Sequence, residues 1–192
     1  MSKRCRSFFP ALIALVLSGC VVPSSPAPDY YLLTAQAAPA QPGLAHLSLG
    51  VGPVRVAPFL ERVQLVSHDG RADLDVDDSH RWAEPLDKGI QRVMVQNLAA
   101  LTGAQTRNFP WSRSAIPQRA LRIDVLDLNS RDDRAVLEVL WVVEDLSGVE
   151  APLRGRERLE QLLDGDGPAA RVLAYSRLLD SLAQGIAARL GQ

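Results

Sequence analysis

Two neighbouring segments, residues 120–129 and 134–146, are so rich in aliphatic residues that they constrain the fold more than any other part of the chain. Both alternate with the period of two that is typical of β-strands, and the short polar link between them predicts a hairpin. The second segment is apolar on both faces, with Leu137, Val139, Trp141 and Val143 on one and Val136, Leu140 and Val142 on the other. Such a strand is usually internal and covered on both sides.

Two amphipathic segments predict helices that could provide this cover. In residues 84–102 the buried-type residues recur at helical spacing, and Gly103 follows as a C-cap candidate. Residues 168–190 repeat the pattern, with Val172, Tyr175, Leu179, Leu182, Ile186 and Leu190 on one face.

Shorter strands are predicted around these elements. They cover residues 30–34, residues 47–58 with a break near Gly52-Pro53, and residues 63–67. Asp69-Gly70 predicts a hairpin turn from the last of these into residues 74–76, whereas residues 153–163 fit either a strand or a helix. The order of strands, helix, strands and helix predicts an α/β fold with a mixed sheet and helices packed on it.

The N-terminus has the three-part layout of a secretory signal. Lys3, Arg4 and Arg6 precede the apolar residues 8–17, a stretch shorter than the roughly 20 residues that span a bilayer. The following residues 17–20, Leu-Ser-Gly-Cys, resemble the lipobox of bacterial lipoproteins at all four positions. The resemblance implies cleavage between Gly19 and Cys20, with a diacylglyceryl group on the Cys20 thiol and an N-acyl chain on its amine. Residues 1–19 are therefore interpreted as a signal peptide.

Residues 20–29 are interpreted as the lipidated cysteine and a proline-rich tether that reaches about 25–30 Å at ~3.1 Å per residue. In many Gram-negative bacteria an Asp directly after the lipidated Cys retains a lipoprotein in the inner membrane. This chain has Val21 there, so the expected location is the outer membrane, with residues 30–192 as one α/β domain on its periplasmic face. Loss of the signal peptide leaves 18 basic against 22 acidic residues, which gives no reason to expect nucleic-acid binding.

Searches for catalytic and cofactor motifs in the sequence favour a non-enzyme. The chain has no glycine-rich phosphate loop, no HExxH motif and no GxSxG elbow beside its three histidines. Asp73, Asp75, Asp77 and Glu84 match positions 1, 3, 5 and 12 of a calcium loop, but Asp78 replaces the glycine that the turn needs. A solvated strand face is the preferred interpretation, and no metal or cofactor is expected apart from the lipid on Cys20.

Four aromatic or basic residues are candidate partner-binding residues. Arg81 and Trp82 precede the first predicted helix, where a large aromatic can staple the chain onto the core or contact a partner. Tyr30 and Tyr31 carry the same two alternatives, with stapling the preferred role at Trp82.

Taken together, several segments resemble the PqiC family, the auxiliary lipoproteins of ABC-type and MCE lipid transport systems. They are Tyr30-Tyr31-Leu32-Leu33 behind a lipobox and tether, VGPVRVAP at residues 51–58, and RWAEPL at residues 81–86, the most specific of the three. The resemblance implies an anticodon-binding-domain-like, three-layer architecture, with a mixed sheet between helix layers.

The resemblance also implies a function and partners. Family members have no enzymatic activity of their own, lie on the periplasmic face of the outer membrane and receive the distal end of an MCE-domain transporter protein. They would also assemble into a homo-oligomeric ring. Two alternatives stay open on the sequence alone: a lipoprotein that itself binds a lipid or another small apolar ligand, and a structural envelope lipoprotein.

Overall fold

The computed structural model describes residues 27–39, 43–68 and 72–191. Eight strands and two helices follow one another along these residues. The strands are β1 (Asp29–Tyr31), β2 (Ser48–Val56), β3 (Gln64–Ser67), β4 (Asp75–Trp82), β5 (Gln105–Asn108), β6 (Arg119–Arg131), β7 (Arg134–Asp145) and β8 (Leu153–Leu162), and the helices are α1 (Leu86–Thr102) and α2 (Gly167–Leu190).

Five strands form the larger sheet, in the order β5-β2-β6-β7-β8. Strand β2 is parallel to its neighbours β5 and β6. Strand β7 is antiparallel to its neighbours β6 and β8, so the sheet is mixed. The hairpin predicted between residues 120–129 and 134–146 is confirmed as β6 and β7. Asp132 closes it in the left-handed region at φ 52°, which an aspartate tolerates better than most residues. The ambiguous segment is a strand, and its side chains alternate between exposed and half-buried along β8.

The predicted break in β2 is also confirmed. Gly52 has φ 117°, a conformation that favours glycine, and the register between β2 and β6 shifts between Val51 and Val54. The buried Gln91 amide of α1 donates to the Val51 carbonyl at 2.9 Å and to the Phe109 carbonyl at 2.7 Å. The irregular backbone of the bulge thereby keeps its hydrogen bonds.

The smaller sheet has the order β1-β4-β3. Strands β3 and β4 are antiparallel, as predicted, while the predicted turn at Asp69-Gly70 lies outside the described residues. Strand β4 continues to Trp82, well past the three residues predicted for it, and β1 pairs in parallel with its last three residues. Trp82 therefore ends a strand instead of leading directly into the helix.

Both helices bury their apolar faces in one core shared with the two sheets. Ile90, Val93, Met94 and Leu98 of α1 and Leu179 of α2 are fully buried, each stabilising the fold by about 1.5–3 kcal/mol. Helix α1 starts at Leu86, two residues later than predicted, and ends as predicted at Gly103, whose φ is 70°. In the described part of the chain, neither helix is long and apolar enough to cross a membrane.

The α/β class, with a mixed sheet and helices packed on it, is confirmed. Helix α1 packs on β2 and β5, α2 packs on β7 and β8, and the helices touch each other, so both cover the same face. On the opposite face of β7, Leu140 is 38% exposed. Cross-strand ion pairs, such as Arg156 with Glu138 at 2.6 Å and Arg122 with Glu144 at 3.1 Å, keep that face solvated.

Candidate partner-docking surface

The two residues predicted to be cut and lipidated, Gly19 and Cys20, lie outside the described residues. Their roles stay predictions. The described chain begins nearby, at residue 27, and enters the fold as β1. The end of the molecule that contains β1 is therefore the end joined to the predicted lipid anchor, and we call it the anchor pole.

Strand pairing brings all four predicted partner-binding residues together at this anchor pole. Tyr30 lies opposite Arg81 and Tyr31 lies opposite Trp82 in the parallel β1–β4 ladder. Because side chains alternate along a strand, the two pairs point to opposite faces of the small sheet. The four residues thus form one cluster with an outward half and an inward half.

The outward half consists of Tyr30 and Arg81. Tyr30 is 63% exposed. The half-buried Arg81 donates from Nε to the Asp78 carbonyl at 3.3 Å, which fixes its stem and leaves most of the guanidinium for other contacts. An exposed tyrosine beside an arginine is the kind of pair that anchors protein interfaces.

The inward half consists of Tyr31 and Trp82. Trp82 is only 8% exposed, and its ring centroid lies 6.4 Å from that of Tyr175 in α2. Tyr31 packs against the core, 5.7 Å from the His80 ring. Its pKa is raised above the usual value by loss of hydration and by the charges of Asp29 and Asp77. Burial of Trp82 supports the stapling role that the sequence favoured for it.

Glu84 locks this cluster to α1. Its carboxylate accepts two hydrogen bonds from Arg92, at 2.6 and 3.1 Å, and Arg92 also donates to the Leu33 carbonyl at 2.8 Å. The chain that follows β1 is therefore held against the helix by a charge-assisted bond. Glu84, considered above as a calcium ligand, is instead the partner of an arginine.

The acidic run forms part of the small sheet rather than a metal loop. Asp77 bonds the His80 ring at 2.7 Å, and Asp78 accepts from Gln64 at 3.1 Å. Within residues 27–39, 43–68 and 72–191, no group of three or more His, Cys, Asp or Glu side chains is placed to hold a metal ion. The described surface depressions near the run and elsewhere have volumes between about 120 and 430 Å³ and are lined in part by charged residues such as Arg55, Asp75 and Arg119.

Sequence reasoning missed a second exposed surface at the opposite pole. Ile116, Leu146 and Val149 are 57%, 40% and 85% exposed, and all three lie in or beside loops at the end where α1 and α2 terminate. The backbone amide of Leu146 bonds the Gln118 carbonyl at 2.9 Å, which joins the two loops. The sequence signal that could have indicated this surface is an apolar residue directly after a loop glycine, as in Gly148-Val149. We call these three residues the distal patch.

Comparison with known proteins is consistent with this description. One solved structure, of an uncharacterized protein, has a TM-score of 0.71 at 21% identity and covers 86% of this chain and 99% of its own. Protein XCC0632 from Xanthomonas campestris has a TM-score of 0.66 at 15% identity, covering 82% of this chain and 92% of its own. At these identities the likeness establishes the fold alone. No curated protein matched the chain.

The fold defines the class as an α/β protein with mixed sheets and two helices packed on them. A family model described as "ABC-type transport auxiliary lipoprotein component" matches residues 30–187. The chain belongs to this family, and its resemblance to the PqiC-type auxiliary lipoproteins is confirmed. Membership in a lipoprotein family is consistent with a location in the cell envelope.

Proposed function

We propose that this protein is a non-catalytic, lipid-anchored subunit of an MCE/ABC-type intermembrane lipid transport system, which docks the transporter at the periplasmic face of the outer membrane. The family match over residues 30–187 carries this proposal. The lipobox and tether stand directly before the matched region, so the anchor and the auxiliary domain occur in the order that such a subunit needs.

The membrane anchor in this proposal is the lipid on Cys20. Several acyl chains hold a protein on a membrane stably, whereas one alone does so only marginally. With lipid on Cys20 and Val21 behind it, the protein is retained on the outer membrane, and the tether keeps β1 within about 25–30 Å of the bilayer.

Docking uses the exposed surface of the domain. Tyr30 and Arg81 offer an aromatic and a cationic contact, while Tyr31 and Trp82 hold the strands that carry them. Several copies of the protein assemble into a ring around the partner.

Lipid passes through the partner or the ring rather than through one protomer. This view is supported by the dense core, in which Leu49, Ile123, Leu137 and Leu178 are fully buried. It is also supported by the charged residues in the lining of the described depressions, such as Arg55, Asp75 and Arg119. A stand-alone lipid carrier would instead need an enclosed apolar chamber of about 300 Å³ or more.

The proposal is tested by crosslinking and affinity capture from membranes, with the full-length lipidated protein as bait and mass spectrometry as readout. We expect an MCE-domain protein to be recovered with the wild type. Cys20→Ser, which cannot be lipidated, is the control and should lose both membrane association and this partner. Recovery of only phospholipid would favour the carrier alternative, and recovery of only peptidoglycan or unrelated outer-membrane proteins would favour the structural one.

A further inference from the structure

Strand β8 ends the large sheet with an edge that pairs with no other strand among the described residues. In an antiparallel ladder each residue directs its N–H and C=O to one side, and successive residues alternate. The Leu163 amide bonds the Asp133 carbonyl on the β7 side, whereas the Arg154 carbonyl accepts from the Arg189 side chain of α2. The even-numbered residues of β8 therefore direct their backbone groups to the open edge, where a further strand can pair.

The same even-numbered residues carry the exposed side chains of β8, which are Arg154, Arg156, Arg158, Glu160 and Leu162. Arg156 bonds Glu138 of β7 at 2.6 Å, and Arg158 lies 3.7 Å from Glu160. Arg154 forms no ion pair with any described residue. Because like charges directly opposite each other destabilise a strand pair, a strand that pairs with this edge must bring carboxylates to the positions opposite the arginines.

A second copy of β8 has carboxylates at those positions. When two β8 strands pair antiparallel about a two-fold axis at Leu159, Arg158 of each copy lies opposite Glu160 of the other. In the same register Arg154 lies opposite Asp164, which follows β8 directly. Each contact occurs twice, because a two-fold interface uses the same surface of both copies. The unpaired guanidinium of Arg154 thereby gains a carboxylate.

Neighbouring registers bring like charges together. The register can change only in two-residue steps, because the even-numbered residues must stay opposite one another to exchange backbone hydrogen bonds. A step in one direction sets Arg158 opposite Arg158 of the second copy, and a step in the other direction sets Glu160 opposite Glu160. The charge pattern of β8 therefore favours the register centred on Leu159.

Helix α2 follows this edge with an uncharged stripe. Arg177 lies 3.5 Å from Asp164, and Arg189 lies 3.0 Å from Glu157, so α2 runs along β8. The stripe of α2 that contains Arg177 continues with three exposed and uncharged residues, Ser181, Gln184 and Ala188. In a two-fold pair the two α2 helices run antiparallel on the same side of the joined sheet, with their Arg177 residues at opposite ends.

We propose that two copies of this chain pair through β8, antiparallel and centred on Leu159, so that their five-stranded sheets become one continuous sheet. The inference goes beyond the proposed function, which leaves the contact between copies unassigned, and it does not depend on the identity of the transporter. A ring built from such pairs contains an even number of copies.

The first test is disulfide crosslinking of the full-length lipidated protein in membranes. Two Leu159 residues form a non-hydrogen-bonded pair with Cα atoms about 4.5 Å apart, within disulfide range. Cys5 and Cys20 are the only cysteines in the sequence, and in the proposed mature protein the first is removed and the second is acylated. We expect Leu159→Cys to give a disulfide-linked dimer on a non-reducing gel after mild oxidation.

Wild type and Leu162→Cys are the controls for this crosslink. The two copies of residue 162 lie about 20 Å apart in the proposed register, since six residues separate position 162 from position 156, which it faces. Both controls should stay monomeric on the gel. Absence of a dimer with Leu159→Cys, or an equal yield with Leu162→Cys, overturns the proposal.

The second test measures self-association of the full-length protein in detergent by analytical ultracentrifugation. Arg154→Glu sets like charges opposite each other twice, so we expect the dimer Kd to rise about tenfold or more. Arg154→Glu/Asp164→Arg restores opposite charges and should recover most of the association. Arg113→Glu is the control, because it makes the same charge change at an exposed residue outside β8, and it should associate like the wild type.

Three results of this measurement contradict the proposal. They are a wild type that is monomeric or forms only odd-numbered assemblies, an Arg154→Glu variant that associates like the wild type, and a loss of association that Asp164→Arg does not reverse. Affinity capture with the same variants tests the proposed function separately. A monomeric wild type that still captures the MCE-domain protein overturns the β8 pairing and leaves that function standing.

Discussion

At the scale of single residues, neighbours in sequence have opposite roles because β1 and β4 are strands. The alternation puts Tyr30 and Arg81 on the surface and Tyr31 and Trp82 toward the core. The sequence identified all four residues as candidates for partner binding, but each aromatic could also staple the chain onto the core. The end of a strand and the start of a helix look alike in sequence until the strand pairing is known.

Replacement of Trp82 by alanine should destabilise the protein strongly. The change removes a buried indole next to Tyr175 and leaves a cavity, so we expect the free energy of unfolding to fall by about 3 kcal/mol or more. Denaturant unfolding of the full-length protein in detergent measures this. Tyr30→Ala is the matched control and should change it by less than about 0.5 kcal/mol; equal losses for the two variants would refute the division into inward and outward halves.

Burial of the Tyr175 phenol should lower the free energy of unfolding at alkaline pH. Burial raises the pKa of Tyr175 to about 12 from 10.0. Above pH 10 the phenol ionises in the unfolded chain but not in the folded one, so stability falls as pH rises from 10 toward 12, by about 1.4 kcal/mol at pH 11. Urea unfolding at pH 8 and pH 11 should show this fall in the wild type and a smaller fall in Tyr175→Phe. The same fall in both would mean that Tyr175 does not contribute to it.

At the scale of elements, glycines decide where bulky aromatics can pack on the large sheet. Gly155 of β8 pairs with Trp141 of β7, and the Trp141 indole lies over it. The Arg189 guanidinium covers that indole from α2, 5.0 Å from the ring centroid. On the opposite face of β2, Trp111 and Pro117 lie over Gly50 in the same way, with atoms 2.6 Å from the position that a Cβ would occupy. The first contact joins the large sheet to α2, and the second joins it to the loop before β6. The alternation of apolar residues along the strands does not predict either contact.

Gly155→Ala should therefore weaken the packing of β8 on α2. Its new methyl group overlaps the Trp141 ring, and overpacking of this kind costs about 1–3 kcal/mol. Gly185→Ala in α2 is the matched change in open space, and because alanine is the better helix former it should stabilise by about 0.5–1 kcal/mol. Thermal unfolding of the two variants should shift in opposite directions; a stabilised Gly155→Ala would show that Trp141 relaxes freely.

At the scale of the whole molecule, the two poles of the domain carry different features. One pole carries the strand that continues into the tether, and the other carries the ordered loop with Val149, with α2 running between them.

Membrane location tests the anchor end of this arrangement. Val21→Asp places an acidic residue directly after Cys20, so we expect the protein to shift from the outer to the inner membrane fraction, while Cys20→Ser releases it from both. Val21→Ala is the control and should stay with the outer membrane. Separation of the membranes on a density gradient, followed by detection of the protein, gives the distribution. Equal distribution of Val21→Asp and Val21→Ala would show that position 21 does not direct sorting here.

Several parts of the fold escaped prediction for physical reasons. The four residues of β5 are polar and too short to show a period, and they form a strand only because β2 offers a parallel edge. Residues 77–82 alternate weakly, so the extension of β4 depends on its pairing with β1 and β3. The apolar second face of β7 suggested a covering layer, yet its neighbours Arg122, Glu138 and Arg156 bring enough paired charge to leave that face in water.

By itself the sequence determined what depends on local pattern: the period of the β6–β7 hairpin, the apolar stripes of α1 and α2, the glycine that ends α1, the lipobox, and the family. Tertiary structure alone decided what depends on residues far apart in the chain. It placed both helices on one face of the large sheet, set Tyr30 beside Arg81, and gathered Ile116, Leu146 and Val149 at one pole. The reason is that periodicity records which side of an element is apolar, whereas the identity of the neighbour is fixed only when distant elements compete to bury that side.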